Sequence, residues 1–167
     1  MQTKRLISDA ISTTASPATM GVSLDATPAT ISRCGFVSGQ TTMRYNQAGI
    51  MVRLDERNWI KAGIEKSDGQ CQLSSVLTVD RSDWATGPYG GDPSDFWMRA
   101  TVNDGVIRVQ VSADGKRWPL VRLAPFPKAA SYLVGPMCCT PERAGLEVKF
   151  SGFYVGPPSD RDLHDLA

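Results

Sequence analysis

Residues 47–65 read QAGIMVRLDERNWIKAGIE, and apolar residues recur at every second position in both halves of this stretch. A period of two with β-branched residues is typical of β-strands that bury one face. A polar segment, Asp55 to Asn58, separates the two halves. The stretch therefore predicts a β-hairpin, and its buried face is predicted to carry Ile50, Val52, Leu54, Ile60, Ala62 and Ile64.

The length of the loop sets which residues oppose each other in this hairpin, and opposing residues share a face. A two- or four-residue loop mixes apolar and polar positions on each face. A three-residue loop, Glu56 to Asn58, pairs Leu54 with Ile60 and keeps the faces separate. Asn58 then occupies the position that favours a left-handed backbone. The polar face is predicted to carry Glu65 and to place Arg53 opposite Lys61.

A second hairpin is predicted at Asn103-Asp104-Gly105, a strong turn signal. A two-residue turn at Asp104 and Gly105 pairs Val102 with Ile107 and collects the apolar residues of both strands on one face. The opposite face is predicted to carry Trp97, Arg99, Arg108 and Gln110.

The same alternation continues along most of the chain after residue 43. It indicates about eight strands joined mostly by short turns, without a convincing helix. This pattern predicts an antiparallel all-β sandwich or barrel. Asp80 to Ser94 is polar and glycine-rich, so it is predicted to be a long loop that carries Trp84. The remaining predicted strands lie at residues 71–79, 95–102, 118–123, 132–137 and 145–154.

The first 40 residues differ in composition, with 17 Ser, Thr or Ala and a single aromatic residue, Phe36. Weak alternation at residues 20–24 and 31–37 indicates one or two marginal strands after a mobile start. The predicted organisation is a divergent or partly disordered segment at residues 1–40, a β-sandwich domain at residues 41–158, and a tail at residues 159–167.

The charge balance excludes some classes of partner. The 167 residues contain 18 Lys or Arg and 17 Asp or Glu, a net charge of +1. A nucleic-acid binder usually shows a strongly basic balance, so no nucleic-acid partner is expected. No apolar run approaches the ~20 residues of a membrane span, and no secretory stretch follows the first residues. We therefore expect neither a membrane partner nor secretion.

Cysteine and histidine usage limits the possible chemistry. Only His164 is present, so histidine-based triads and multi-histidine metal sites are nearly excluded. The cysteines lack C-x-x-C spacing, which favours free thiols in a reducing compartment over a zinc site or a disulfide framework. We expect a cytoplasmic protein with no cofactor and no metal. The four cysteines are Cys34, Cys71, Cys138 and Cys139.

Several segments together resemble a known family. These are residues 47–65, Trp84 in its loop, Asp114-Gly115 followed by Trp118, and residues 134–138. They resemble the regulation-of-enolase-protein-like family, which belongs to the concanavalin A-like lectin/glucanase superfamily, over roughly residues 43–158. The resemblance implies a jelly-roll sandwich of two antiparallel sheets, and a cytosolic protein without established enzyme activity. It also implies a metabolic enzyme such as enolase as a possible partner.

The superfamily suggests where a ligand would bind. Its lectins and glucanases present one concave polar sheet to sugar, and sugar binding needs flat aromatic rings and polar groups. If both predicted polar faces belong to that sheet, they form one groove, with Trp84 over its mouth. The alternative is that these faces are merely solvated. Trp59 and Trp118 are predicted to serve packing. The candidate ligand-binding residues are Arg53, Lys61, Glu65, Trp84, Trp97 and Arg99.

Three functions follow from this pattern. The first is a non-catalytic, lectin-like module that binds a carbohydrate or sugar-phosphate. The second is a regulatory module that binds a metabolic enzyme. The third is a glucanase-type hydrolase. It is disfavoured because glycoside hydrolysis normally needs two carboxylates. The superfamily's glucanases place theirs along one strand in an E-x-D-x-E pattern, and no predicted strand carries that pattern. No catalytic residue is assigned. A calcium site at the loop aspartates is only weakly indicated, because the spacing of Asp80, Asp83, Asp92 and Asp95 does not match a calcium loop.

Overall fold

The computed structural model describes residues 5–7, 11–14, 22–24, 29–36, 47–139 and 147–158. These residues form antiparallel strands in two sheets, which confirms the all-β prediction. The strands are β1 (Arg5–Ile7), β2 (Ile11–Thr14), β3 (Val22–Leu24), β4 (Ala29–Phe36), β5 (Gln47–Arg53), β6 (Asn58–Ser67), β7 (Gln70–Val79), β8 (Arg81–Pro88), β9 (Phe96–Asn103), β10 (Val106–Ser112), β11 (Leu120–Pro125), β12 (Tyr132–Cys139) and β13 (Glu147–Gly156).

One sheet has seven strands and the other has six. The seven-stranded sheet runs β1-β13-β4-β9-β10-β11, and β2 also pairs with β13. The six-stranded sheet runs β3-β12-β5-β6-β7-β8. The apolar faces of the two sheets pack together, since every second residue of the central strands is buried. The largest fully buried apolar side chains are Phe96, Ile50, Ile60, Ile64, Met98 and Ile107.

The first hairpin has the predicted faces but not the predicted register. Val52 opposes Ile60 rather than Ala62, so the pairing is shifted by two residues. A shift of two preserves both faces because side chains alternate with period two. Arg53 therefore opposes Trp59, and the predicted pairing of Arg53 with Lys61 was wrong.

The loop of this hairpin is centred on Glu56, one residue earlier than predicted. The carboxylate of Asp55 accepts hydrogen bonds from the backbone N–H of Arg57 at 2.7 Å and from the side-chain amide of Asn58 at 3.0 Å. The amide of Asn58 is the first cause, and the N–H of Arg57 the second, of a lowered pKa for Asp55. Among the described non-glycine residues, positive φ falls on Asp68, Asp80 and Asp104, and the predicted left-handed Asn58 was wrong.

The second hairpin matches its prediction pair by pair. Val102 opposes Ile107, and Trp97 opposes Ser112. Asp104 and Gly105 both have positive φ, 48° and 80°, as a two-residue turn of this type requires. The Asp-Gly dipeptide therefore fixes the register of β9 and β10 locally.

The predicted long loop was partly wrong, because Arg81 to Pro88 form strand β8. Asp80 has a φ of 59° and turns the chain so tightly that Val79 opposes Arg81. Seven of the eight β8 residues are exposed and the strand lies at the edge of its sheet, so its sequence lacks an alternating apolar face. Trp84 therefore lies on an edge strand.

Strands from the first 40 residues join both sheets. β3 pairs with β12, and β4 lies between β13 and β9. β3 falls within the weakly alternating segment at residues 20–24, and β4 overlaps the one at residues 31–37. The predicted domain boundary between residues 40 and 41, and the predicted tail at residues 159–167, lie outside the described residues.

Candidate functional site

The outer face of the six-stranded sheet brings together four of the six predicted ligand-binding residues. Strand alternation buries Ile50, Ala62 and their equivalents, so the residues between them point away from the core. We call this surface the Lys61 face. On β5 to β8 it comprises Gln47, Gly49, Met51, Arg53, Trp59, Lys61, Gly63, Glu65, Gln72, Ser74, Val76, Thr78, Ser82, Trp84 and Thr86.

Lys61 and Trp84 lie in the same cross-strand row of this face. Lys61 opposes Val76, and Val76 opposes Trp84 on the edge strand. The side chain of Trp84 is 58% exposed, and its indole nitrogen donates a hydrogen bond to the Ser74 hydroxyl oxygen at 3.0 Å. Ser74 opposes Gly63 in the next row, so the ring leans across β7 towards the middle of the sheet.

A glycine pair leaves the centre of the Lys61 face without side chains. Gly49 and Gly63 oppose each other across β5 and β6. A Cβ on Gly49 would clash with the carbonyl oxygen of Ala62, and one on Gly63 with that of Ala48. The two backbones approach more closely than any other residue type permits. The row between Lys61 and Glu65 therefore carries no side chain on β5 or β6, and we call this missing pair of side chains the gap. The gap is covered, because Gly49, Gly63 and the neighbouring Met137 of β12 are buried.

The far end of the gap holds two buried polar side chains. Gln47 opposes Glu65 across the hairpin, and their exposed fractions are 1% and 8%. Neither the nitrogen nor the oxygen of the Gln47 carboxamide has a hydrogen-bond partner. Buried polar groups are nearly always hydrogen-bonded, so an unpartnered buried carboxamide needs an explanation.

Arg53 is directed towards the hairpin loop. Its Nε donates a hydrogen bond to the carbonyl oxygen of Asp55 at 3.1 Å, and its guanidinium lies 4.0 Å from the carboxylate of Glu56. Arg53 therefore lies at the margin of the Lys61 face, beside Trp59. Trp59 is half-buried on this face, whereas the sequence favoured a packing role for it.

Trp97 and Arg99 lie on the other sheet, so the single groove predicted from the two polar faces was wrong. β9 belongs to the seven-stranded sheet, and its outer face points away from the Lys61 face. Trp97 packs beside Gly115 and Gly152. Both residues are therefore left out of the candidate site.

On the seven-stranded sheet, Arg99 contacts Gln110 and Trp118. Its Nε donates a hydrogen bond to Oε1 of Gln110 at 3.0 Å, and its Cζ lies 4.3 Å from the centre of the Trp118 ring. Nε2 of Gln110 donates to the carbonyl oxygen of Trp118 at 2.7 Å. Trp118 is buried, as its predicted packing role requires.

The loop aspartates form separate contacts. Asp83 accepts a hydrogen bond from Arg122 at 2.7 Å, and Asp80 lies 3.1 Å from the guanidinium of Arg57. Asp92 accepts from the hydroxyl and the N–H of Ser94, and these bonds lower the pKa of Asp92. Within the described ranges, no group of three ligand-type side chains is placed to hold a metal ion.

The described part of the chain contains no helix long and apolar enough to cross a membrane. Free thiols are present at Cys71, Cys138 and Cys139.

The sequence interpretation missed Gln47, Trp59 and Ser74 as members of the site. Gln47 and Trp59 share the odd-numbered positions of Arg53 and Lys61, so the alternation alone could have placed them on the same face. Ser74 opposes Gly63 through the register of β7 against β6, and the Asp68-Gly69 turn signal could have fixed that register.

Comparison with known proteins agrees with this architecture. The family described as "Protein of unknown function (DUF1349)" matches residues 27–158. The "Regulation of enolase protein 1" of Saccharomyces cerevisiae is 60% identical over 131 residues, 78% of this chain. The chain spans 66% of the length of that relative.

Two solved structures have a similar fold. A functionally unknown protein from Saccharomyces cerevisiae has a TM-score of 0.81 and 52% identity, covering 87% of this chain and 77% of that one. A xylan β-1,4-xylosidase from Bacillus halodurans has a TM-score of 0.66 and 10% identity, covering 83% of this chain and 30% of that one. The second likeness shows the fold alone, a jelly-roll sandwich. Since the family match extends over most of the chain, the chain belongs to the DUF1349 family.

Proposed function

We propose that this chain is a non-catalytic binding module that takes a carbohydrate or sugar-phosphate on the Lys61 face. The observation that carries the proposal is the exposed Trp84 ring. Trp84 lies in the same cross-strand row as Lys61, and a hydrogen bond to Ser74 holds its ring in place. A flat exposed aromatic ring offers a stacking surface for the apolar face of a sugar. Lys61 provides a cation, and Glu65 and Arg53 add polar groups on the same face.

The centre of the face adds apolar surface to this site. Met137 of β12 opposes Gly49, and its side chain is buried on this face. Trp84 borders this gap on the β8 side, and Met51 lies beside Lys61 on β5. Pockets for small ligands typically combine apolar surface with a few placed polar groups.

The carboxylate content of the described part of this face favours binding over hydrolysis. Glycosidases use a pair of carboxyl groups, about 5–5.5 Å apart or further according to mechanism. Among the described residues of the Lys61 face, Glu65 is the one acidic side chain. A second carboxylate opposite Glu65 would be needed for the hydrolase alternative.

Tryptophan fluorescence during titration with a panel of neutral sugars and sugar-phosphates tests the proposal. We expect a saturable change with at least one ligand, and its loss in Trp84→Ala. Trp84→Phe serves as the matched control, because it keeps a flat ring and should retain part of the binding. No response from the wild-type chain to any member of the panel, or an undiminished affinity in Trp84→Ala, would overturn the proposal.

A regulatory role towards a metabolic enzyme is a second candidate. It is favoured by the 60% identity to a protein named "Regulation of enolase protein 1". We propose the cytoplasm as the location, since free thiols are typical of a reducing compartment. Sedimentation of the chain with purified enolase tests this role, and a complex of defined stoichiometry is the expected result. Independent sedimentation at micromolar concentrations of both proteins would contradict it.

A further inference from the structure

The buried carboxamide of Gln47 lacks hydrogen-bond partners. Its nitrogen and oxygen are both buried without a hydrogen-bond partner, on the outer face of β5. Glu65 opposes Gln47 across the hairpin, and its side chain is 8% exposed. Because leaving such groups unpaired costs free energy, this pair is suited to a ligand group that completes the missing bonds.

The chemistry of the two side chains selects that group. The carboxamide of Gln47 both donates and accepts, whereas the ionised carboxylate of Glu65 only accepts. A hydroxyl group satisfies both, since it donates one hydrogen and accepts another. A phosphate oxygen accepts only and is repelled by Glu65, and an ammonium group donates only and leaves the nitrogen of Gln47 unpaired.

Lys61, at the other end of the gap from Glu65, has a cationic side chain. Lys61 lies four residues before Glu65 on the same face of β6, a Cα separation of roughly 13 Å. Only Gly63 lies between them on this face of the strand, and its partner is Gly49. The ammonium of Lys61 forms no ion pair within the described ranges. It is therefore placed to bind an anionic substituent of a ligand that also contacts Glu65.

We infer that the Lys61 face orients its ligand, with hydroxyl groups at Gln47 and Glu65 and an anionic substituent at Lys61. This inference rests on the proposed function and narrows its ligand class to anionic sugars such as hexose phosphates. The low exposure of Gln47 adds a steric condition. The hydroxyl must enter the sheet surface beside Glu65, so a ligand that only lies over the face cannot make these bonds.

Calorimetric titration with hexose 6-phosphate, free hexose and inorganic phosphate tests the orientation. We expect the wild-type chain to prefer hexose 6-phosphate over both fragments. Gln47→Leu should weaken hexose 6-phosphate binding by about tenfold and leave inorganic phosphate binding unchanged, because it removes only the hydroxyl end. Lys61→Met should abolish the preference for hexose 6-phosphate over free hexose. The matched control is Gln70→Leu, the same change at an exposed position of β7.

Glu65→Gln is a second variant of the hydroxyl end, to be used if Gln47→Leu does not fold. It retains the shape of the side chain and should weaken hexose binding several-fold, since a charge-assisted hydrogen bond becomes a neutral one. If the wild-type chain binds hexose 6-phosphate and both variants bind it equally well, the orientation is wrong and the proposed function stands. If the wild-type chain binds no sugar or sugar-phosphate, the proposed function fails and the orientation with it.

Discussion

The indole nitrogen of Trp84 and the hydroxyl oxygen of Ser74 lie 3.0 Å apart, and this hydrogen bond joins the edge strand β8 to the interior of its sheet. Ser74 is fully buried, whereas Trp84 is one of the most exposed large apolar side chains among the described residues. The bond therefore fixes the orientation of a ring that would otherwise be free to rotate in solvent. An exposed ring held in one position binds a flat ligand at lower entropic cost than a mobile one.

Ser74→Ala should release the Trp84 ring. We expect a loss of about 0.5–1.5 kcal/mol in the free energy of unfolding, the usual net value of one hydrogen bond. The fluorescence anisotropy of the chain should fall as the ring becomes mobile. Urea denaturation and anisotropy measure the two effects. In a Trp84→Phe background the same substitution should cost less, and an equal cost in both backgrounds would show that the bond does not form.

Gly49→Ala and Gly63→Ala should each destabilise the fold by about 1–3 kcal/mol or more, because the added Cβ meets a backbone carbonyl that cannot move aside. Gly87→Ala is the matched control, since nothing lies within contact of a Cβ there. We expect that variant to unfold within about 0.5 kcal/mol of the wild-type chain. Chemical denaturation compares the three, and equal stability of all of them would refute the close approach of β5 and β6.

Asp114 should make the stability of the fold depend on pH in the acid range. Its carboxylate accepts from the N–H groups of Arg117 and Lys116 at 2.9 and 2.8 Å, which lowers its pKa from 3.8 to about 2. A lowered folded-state pKa means that the stabilisation is fully present above about pH 4 and is lost as the pH falls towards 2.

Asp114→Asn replaces the ionisable carboxyl group with an amide, so it should remove this dependence of stability on pH. We expect the variant to be less stable than the wild-type chain at pH 6, with the difference shrinking as the pH approaches 2. Thermal unfolding followed across this pH range measures the effect. A difference that stays constant from pH 6 to pH 2 would be inconsistent with the lowered pKa.

The contact between Arg122 and Asp83 links the two sheets. Arg122 on β11 of the seven-stranded sheet donates to Asp83 on β8 at 2.7 Å, and its Nη1 lies 3.3 Å from the hydroxyl of Ser75 on β7. Because Asp83 is two-thirds exposed, we expect a coupling of only about 0.5–1 kcal/mol. A double-mutant cycle of Arg122→Met and Asp83→Asn measures it. The coupling should shrink in 1 M salt, and insensitivity to salt would argue against an ion pair.

The faces of the strands could be predicted from the sequence, but not all registers could. At β9 and β10 the Asp104-Gly105 turn sets the register locally, and that prediction was confirmed. At β5 and β6 two registers separated by two residues give the same faces. The choice between them depends on the hydrogen bonds of Asp55, which hydrophobic alternation does not reveal.

For a similar reason, only some residues of the candidate site could be predicted from the sequence. Lys61 and Glu65 share a face because they are separated by an even number of residues on one strand. Whether Trp97 joins them depends on which sheet contains β9, and that follows from long-range pairing with β4. The unpartnered state of Gln47 depends on packing around the end of β5, so no pattern in the sequence indicates it.

The Lys61 face as the binding surface can be tested directly by residue-resolved NMR. Backbone and indole chemical shifts would be recorded while the chain is titrated with hexose 6-phosphate. We expect saturable shifts concentrated at Lys61, Gly63, Ser74 and the Trp84 indole, with the outer face of the seven-stranded sheet unchanged. Shifts centred on Trp97 and Arg99 instead, or no saturable shift at millimolar ligand, would contradict it.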